Sequence, residues 1–158
     1  MRSIKQQNFC QNIPGFLKLY AAYKSDISIL TQVNENSVML EMEEGKEFGE
    51  IDCKKISLSN QYNDGTFNLE INAFIIFTSE YLDKFLLEMT NEEFIVILKD
   101  RNEVHWVAGT LDEPLKFSFV HLGEENIFGK HGYAITFFRK MQDPLLVLNG
   151  ESNIVLTE

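Results

Sequence analysis

The segment from Thr66 to Tyr133 constrains the fold of this chain more than any other part of the sequence. Its hydropathy pattern predicts a long strand, a helix, a hairpin of two strands and a further strand, in that order. No catalytic motif accompanies these elements. The segment therefore indicates a β-rich protein that works through its shape and its sheet edges.

The first strand of this segment has an unusual length. Apolar residues from Phe67 to Phe77 alternate with polar ones at a period of two, which is the period of a strand. Near its end the second face also becomes apolar, at Phe74 and Ile76, which predicts cover on both sides. A strand of about 12 residues exceeds the usual length, and strands this long often reach beyond their own sheet, so unpaired backbone on this strand is an alternative to full pairing within the chain.

The elements after the long strand follow from their periodicity. A helix is predicted from Glu80 to Thr90, capped by Thr78 or Ser79. Its apolar stripe is formed by residues at helical spacing, namely Leu82, Phe85, Leu86 and Met89. The predicted strands that follow are a central apolar strand at 94–98, its hairpin partner at 104–108 after a polar turn at 99–103, and strands at 115–120 and 132–140.

The two ends of the chain add shorter strands. Alternation predicts strands at 16–23, 38–42 and 51–59, and a turn at Asp64-Gly65. The alternation slips at Lys54-Lys55, which indicates either a β-bulge or a solvated edge. Near the C-terminus, the apolar runs 145–148 and 154–156 either complete the chain's own sheet or add to the edge of a neighbour's sheet.

These elements predict a mainly β (α+β) fold. We expect a β-sandwich or a partly closed β-barrel with one flanking α-helix. With 158 residues, the chain has the length of a single domain, residues 1–158. A polar N-terminal arm (residues 1–12) precedes this β-rich domain, and a short apolar C-terminal tail (residues 144–158) ends it.

Charge and cysteine content limit the partners and the compartment. The formal net charge is −10, and the pair Lys54-Lys55 is the nearest approach to a basic patch, so nucleic-acid recognition is not expected. Neither a signal peptide nor a membrane-spanning run is visible, so we expect synthesis in a reducing cytoplasm and no membrane partner. Cys10 and Cys53 are then free thiols, although the sequence alone leaves open whether they pair.

Four segments or residue sets suggest a phosphate, calcium, transition-metal or nucleophilic site, and each of them departs from the motif that such a site requires. The segment from Gly123 to His131 has five residues between its glycines, where a phosphate-binding loop has four. The acidic cluster between Glu41 and Asp52 lacks the spacing of a calcium loop. The histidines, His105, His121 and His131, lack the pair spacings of metal ligands. No Gly-x-Ser-x-Gly elbow occurs.

We therefore expect no catalytic, cofactor-binding or metal-binding residues, no cofactor and no enzymatic activity. The opposing hypothesis is an enzyme of unrecognised type, with a metal or a deep pocket lined by His105 or His121. A second alternative is a ligand- or carbohydrate-binding β module that presents Trp106 and Tyr62 as an aromatic platform.

The order of elements also matches a known group of proteins. The matching parts are Thr66–Ile71 as the opening strand, the helix to Met89, Ile95–Asn102 as strand and turn, Trp106–Gly109, and Gly132–Phe137 as the late strand. Together with Ile13-Pro14-Gly15 upstream, this order resembles the small virion structural proteins of tailed bacteriophages and related prophages: tail-tube, neck or connector ring subunits.

The resemblance implies a structural subunit that forms a ring in the tail or the head–tail neck, around the DNA channel. It implies a homo-oligomeric ring, contacts with adjacent virion ring or portal and tail proteins, and a location in the virion after synthesis in the host bacterial cytoplasm. DNA would pass without sequence-specific binding, since a carboxylate-rich wall repels phosphate. The candidates for the channel wall are the acidic cluster between Glu41 and Asp52 and the loop between Gly123 and Lys130.

Overall fold

A computed structural model describes residues 15–76, 80–122, 132–142, 145–148 and 156–157. These residues form strands and one α-helix, α1 (Glu80–Met89). The strands are β1 (Phe16–Tyr23), β2 (Ile27–Gln32), β3 (Ser37–Met42), β4 (Phe48–Ile51), β5 (Lys54–Asn63), β6 (Thr66–Ile75), β7 (Phe94–Asp100), β8 (His105–Ala108), β9 (Lys116–Leu122), β10 (Gly132–Met141), β11 (Leu146–Leu148) and β12 (Leu156–Thr157). A single 3-10 turn (Lys24–Asp26) joins β1 to β2.

The strands form two sheets that lie on either side of the main core. The eight-stranded sheet has the order β12-β4-β1-β7-β8-β11-β3-β2, and the four-stranded sheet has the order β5-β6-β10-β9. Within the described residues both sheets are open at their ends, so the fold is a β-sandwich with one helix and not a closed barrel. The predicted mainly β class is confirmed.

The main core fills the space between the sheets. Ile71 and Phe137 point inward from the four-stranded sheet and meet Val96 and Leu98 from β7. The ring of Phe94 contacts that of Phe137 edge-on, with a centroid distance of 5.5 Å. Leu86 and Met89 of α1 also join this core, so the helix is held by its apolar side.

The opposite face of β7 carries a second core. Ile95 and Ile97 pack there with Tyr20, Leu40 and Phe48, all from the eight-stranded sheet. Because β3 and β4 are far apart in the strand order and still share this core, the sheet curls around it. β7 is thus buried on both faces, as its continuous apolar run predicts.

The long strand is paired on both sides within the chain. β6 pairs with β5 on one side and with β10 on the other along its length. It ends at Ile75, and Phe77 lies outside the described residues. The alternative of unpaired backbone is therefore wrong for β6, because a later strand, β10, covers the edge that hairpin pairing with β5 leaves open.

The predicted slip at Lys54-Lys55 is a β-bulge. The pairing of β5 with β6 shifts register between Lys54 and Ser57, and Lys55 has a φ of 55°. The predicted strand 51–59 is two strands, because β4 ends at Ile51 and β5 starts at Lys54. In the following turn, Asp64 and Gly65 both have positive φ (52° and 83°), as a type I′ hairpin requires.

The described part of the C-terminal tail completes the chain's own sheet. β11 lies between β8 and β3, and β12 pairs with β4. The N-terminal arm and the helix-cap candidates Thr78 and Ser79 lie outside the described residues. Among the described residues, no helix is long and apolar enough to cross a membrane.

Candidate assembly surfaces

The turn between β7 and β8 is built around a buried carboxylate. Asp100 is 2% exposed. Its Oδ1 accepts hydrogen bonds from the backbone N–H groups of Asn102 (2.8 Å) and Val104 (3.0 Å), and its Oδ2 accepts one from Trp106 Nε1 (3.0 Å). Burial acts to raise the pKa of Asp100, but the hydrogen bonds from Trp106, Val104 and Asn102 outweigh it and hold the pKa below its ordinary value.

This arrangement changes the interpretation of Trp106. Its indole packs against the main core and donates to Asp100, so it stabilises the hairpin and does not form an open aromatic platform. Tyr62 is 67% exposed and contacts the ring of Phe67 at 5.1 Å. The structure therefore does not bring the two aromatic candidates together as one sugar-binding surface.

The histidines lie apart as well. His105 is on β8, where burial and then Lys99 lower its pKa. His121 is on β9 in the other sheet; it stacks on Tyr133 (4.9 Å) and lies 4.0 Å from Asp83 Oδ1. His131 lies outside the described residues. In the described ranges no group of three potential metal ligands is present.

One face of the four-stranded sheet is turned away from the core, and we call it the open face. Its side chains are mostly small, neutral and polar, and they are linked along the sheet: Thr136 Oγ1 donates to Asn72 Oδ1 (2.8 Å), and Asn72 Nδ2 donates to Glu70 Oε1 (2.9 Å). Val120 and Phe138 are the exposed apolar residues there. By register, the open face comprises Ser57, Ser59, Gln61, Asn68, Glu70, Asn72, Phe74, Lys116, Ser118, Val120, Ala134, Thr136, Phe138 and Lys140.

Among the described residues, the four-stranded sheet has two edges without a strand partner. One is β5, along residues 57–63 beyond its bulge, and the other is β9, residues 116–122, whose end lies beside Asp83 of α1. Neither segment contains a carboxylate or a proline, although the chain has 24 acidic residues. The side chain of Asn60 lies on the core face of β5, opposite the buried Leu69, and no partner for its buried Oδ1 is found among the described residues.

A cleft lies on the other sheet, beside α1. Its volume is about 230 Å³, and its apolar wall includes Ile51, Phe85, Met89 and Phe94. Its rim carries the carboxylates of Asp26, Glu47 and Glu50. Part of the acidic cluster between Glu41 and Asp52 therefore borders this cleft and not the open face, while the loop between Gly123 and Lys130 lies outside the described residues.

The thiol of Cys53 lies close to this region. Cys53 is free, and burial, together with Asp52 and Glu50, raises its pKa to about 12. Cys10 lies outside the described residues.

We expect Cys53 to react with iodoacetamide roughly 10³-fold more slowly at pH 8 than an unperturbed cysteine, since only the thiolate reacts. The measurement uses the Cys10→Ser variant and follows alkylation by mass spectrometry. Unfolding in urea should restore the ordinary rate; a fast reaction in the folded protein would contradict the assigned environment.

Comparison with protein-family models, curated proteins and solved structures found no match for the chain.

Proposed function

We propose that this protein is a structural subunit of a phage virion that forms a ring in the tail or head–tail neck. The observation that carries the proposal is the direction of the two unpaired edges. The four-stranded sheet is antiparallel throughout and has an even number of strands, so β5 and β9 run in opposite directions. Rotation of one copy about a ring axis therefore sets β9 of one copy beside β5 of the next as an antiparallel pair.

The composition of the edges favours such a junction. Sheets that must stay separate commonly protect their edges with charges or proline. Residues 57–63 contain neither, and β9 carries Lys116 at its start and His121 near its end. The two segments have equal length, so a head-to-tail junction leaves little backbone unpaired.

The open face suits the wall of a channel. In a ring joined through β5 and β9, the four-stranded sheets become one continuous sheet, and their open faces line one surface of it. That surface holds Glu70, Lys116 and Lys140 among many neutral hydroxyl and amide groups, so it offers phosphate few cations. With a net charge of −10, the protein would let DNA pass without sequence-specific binding. Adjacent virion rings or portal and tail proteins would dock on the ends of the sandwich.

The first test is the mass of the purified protein in solution. Light scattering should give a ring-sized multiple of the 18.3 kDa chain. Ser59→Glu combined with Ser118→Glu places negative charges on both edges. At equal protein concentration, this double variant should have a ratio of monomer to oligomer at least tenfold higher than the wild type. Ser59→Lys combined with Ser118→Glu should restore the oligomer, because opposite charges then meet at the junction.

The control is Ser25→Glu, a matched substitution at an exposed serine outside the four-stranded sheet. It should leave the mass unchanged, and circular dichroism should show all variants folded, since these serines are exposed. A wild-type protein that stays monomeric at high concentration and in the presence of the neighbouring virion proteins would overturn the proposal. An oligomer that is indifferent to both edge charges would place the interface elsewhere.

A further inference from the structure

The cleft beside α1 combines an apolar wall with a negative rim. Phe85 is 41% exposed, although the sequence assigns it to the buried stripe of the helix. The ring of Tyr81, 79% exposed, stacks near it at 6.4 Å. The volume of about 230 Å³ is below the roughly 300–1,000 Å³ of small-molecule pockets. The cleft therefore suits one or two side chains of a peptide segment.

The negative field at the cleft comes from several elements. Glu47 and Glu50 lie on the β4 side, and Asp26 lies on the 3-10 turn. Burial, followed by Glu92, Glu88 and Asp26, raises the pKa of Tyr23, whose ring forms part of the wall. Lys18 and Lys46 pair with Glu50 (3.7 Å) and Asp26 (3.8 Å), while no ion pair involving Glu47 is found in the described part of the chain. A peptide segment that carries a basic side chain next to an apolar one would therefore match both the charge of the rim and the apolar wall of this cleft.

The N-terminal arm has this composition. In residues 1–12 the charged side chains are Arg2 and Lys5, and no acid occurs, whereas the remainder of the chain holds all the acids. Ile4 and Phe9 lie within a few residues of these cations. An extended arm of this length spans up to about 40 Å, which is enough to reach a neighbouring copy.

The residue at which the chain enters β1 and the cleft lie at opposite ends of this strand. The chain enters β1 beside the β7–β8 hairpin, where Gly15 lies against the guanidinium of Arg101. The cleft is at the far end of the same strand, around Tyr23. Two complementary features at opposite ends of one subunit suit a head-to-tail contact, in which each copy offers its arm to the cleft of the next.

We propose that the N-terminal arm of one copy docks in the acidic-rimmed cleft of an adjacent copy. Arg2 or Lys5 pairs with the carboxylates at the rim, and Ile4 or Phe9 contacts Phe85 and the apolar wall. The proposal rests on the proposed function for its geometry, since stacked or neighbouring ring subunits bring these ends together. It makes the arm a tie between copies that is separate from the β5–β9 junction.

The test traps the contact through the native thiol of the arm. In a Cys53→Ser background, Gly49→Cys places a thiol in the cleft lining and keeps every rim carboxylate, and mild oxidation should join this thiol to Cys10. A mixture of ¹⁵N-labelled and unlabelled protein identifies the origin of each disulfide by mass spectrometry. We expect mixed-isotope disulfides at least tenfold more abundant than with the control Glu35→Cys, an exposed glutamate in the β2–β3 turn.

Two further variants separate this proposal from the ring junction. Arg2→Glu combined with Lys5→Glu should abolish the disulfide and leave the β5–β9 oligomer intact. Ser59→Glu combined with Ser118→Glu should reduce the oligomer mass and still permit mixed-isotope disulfides. A disulfide formed only within single chains, or formed equally at the control position, would overturn the docking proposal, as would one that is insensitive to reversal of the arm's charges.

Discussion

Replacement of Asp100 by alanine is expected to destabilise the fold by roughly 3–5 kcal/mol. The substitution leaves three donors without a partner, namely the backbone N–H groups of Asn102 and Val104 and the indole of Trp106. Hydrogen bonds to a charged acceptor are worth more than neutral ones, and an unsatisfied buried donor adds its desolvation cost. Urea denaturation followed by tryptophan fluorescence measures the effect directly, because Trp106 is the single tryptophan.

The matched control is Asp112→Ala, which removes an exposed carboxylate from a neighbouring loop. It should change the free energy of unfolding by less than about 0.5 kcal/mol. Asp100→Asn should give an intermediate loss of stability. Its Oδ1 can still accept the two backbone hydrogen bonds, but its Nδ2, which is a donor, then faces the donor Nε1 of Trp106. Equal stability of the Asp100→Ala variant and the wild type would refute the assigned role of the carboxylate.

The same carboxylate gives a pH dependence with a definite sign. The pKa of Asp100 is lower in the folded protein than in the unfolded chain, where an aspartate titrates near 3.9. Its stabilisation is therefore fully present above about pH 4 and is lost as the pH falls through the lower folded-state pKa. We expect the stability difference between wild type and Asp100→Asn to be constant from pH 5 to 7 and to shrink in more acidic solution. A difference that grows below pH 4 would contradict this assignment.

The elements that the sequence predicts well are those with one strong period. β7 is a continuous apolar run and is buried on both faces, and β6 alternates cleanly up to its apolar end. β2 was not predicted because Leu30 directly follows Ile29, so its apolar residues do not keep to one face, and its pairing with β3 also shifts register between Ile27 and Ile29. Ile29 is 43% exposed, and such a strand forms by pairing with β3 and not by burying one face.

The candidate assembly surfaces depend on strand order, which local patterns do not encode. The length of the Thr66 strand suggested an exposed edge, yet β10, more than fifty residues later in the chain, pairs with it. The unpaired edge falls on β5 instead. Likewise, the sequence around Asp100 is that of a solvated turn. The structure shows that Asp100 is buried and that it accepts a hydrogen bond from Trp106 Nε1, a contact that no local pattern predicts.

Gly132→Ala is expected to destabilise the protein by about 3 kcal/mol, near the upper end of the cost of overpacking a core. A Cβ at this position would overlap the carbonyl oxygen of Ile75 and would lie 2.6 Å from Cζ of Phe74. Ile75 is the last residue of β6 and pairs with Tyr133 of β10, so its carbonyl cannot move without disturbing the β6–β10 pairing. The ring of Phe74 is buried over the glycine and has little room to turn away.

Gly49→Ala provides the comparison within the same type of element. Gly49 also lies in a strand, but the nearest atom to its added Cβ is the carbonyl oxygen of Ala21 at 4.0 Å. Alanine there should leave stability unchanged or raise it by up to about 1 kcal/mol, because it reduces the entropy of the unfolded chain. The melting temperature of Gly132→Ala should therefore fall by roughly 6–12 °C, while that of Gly49→Ala should stay the same or rise. Similar melting temperatures for both variants would mean that β6 and β10 do not approach as closely at Gly132 as described.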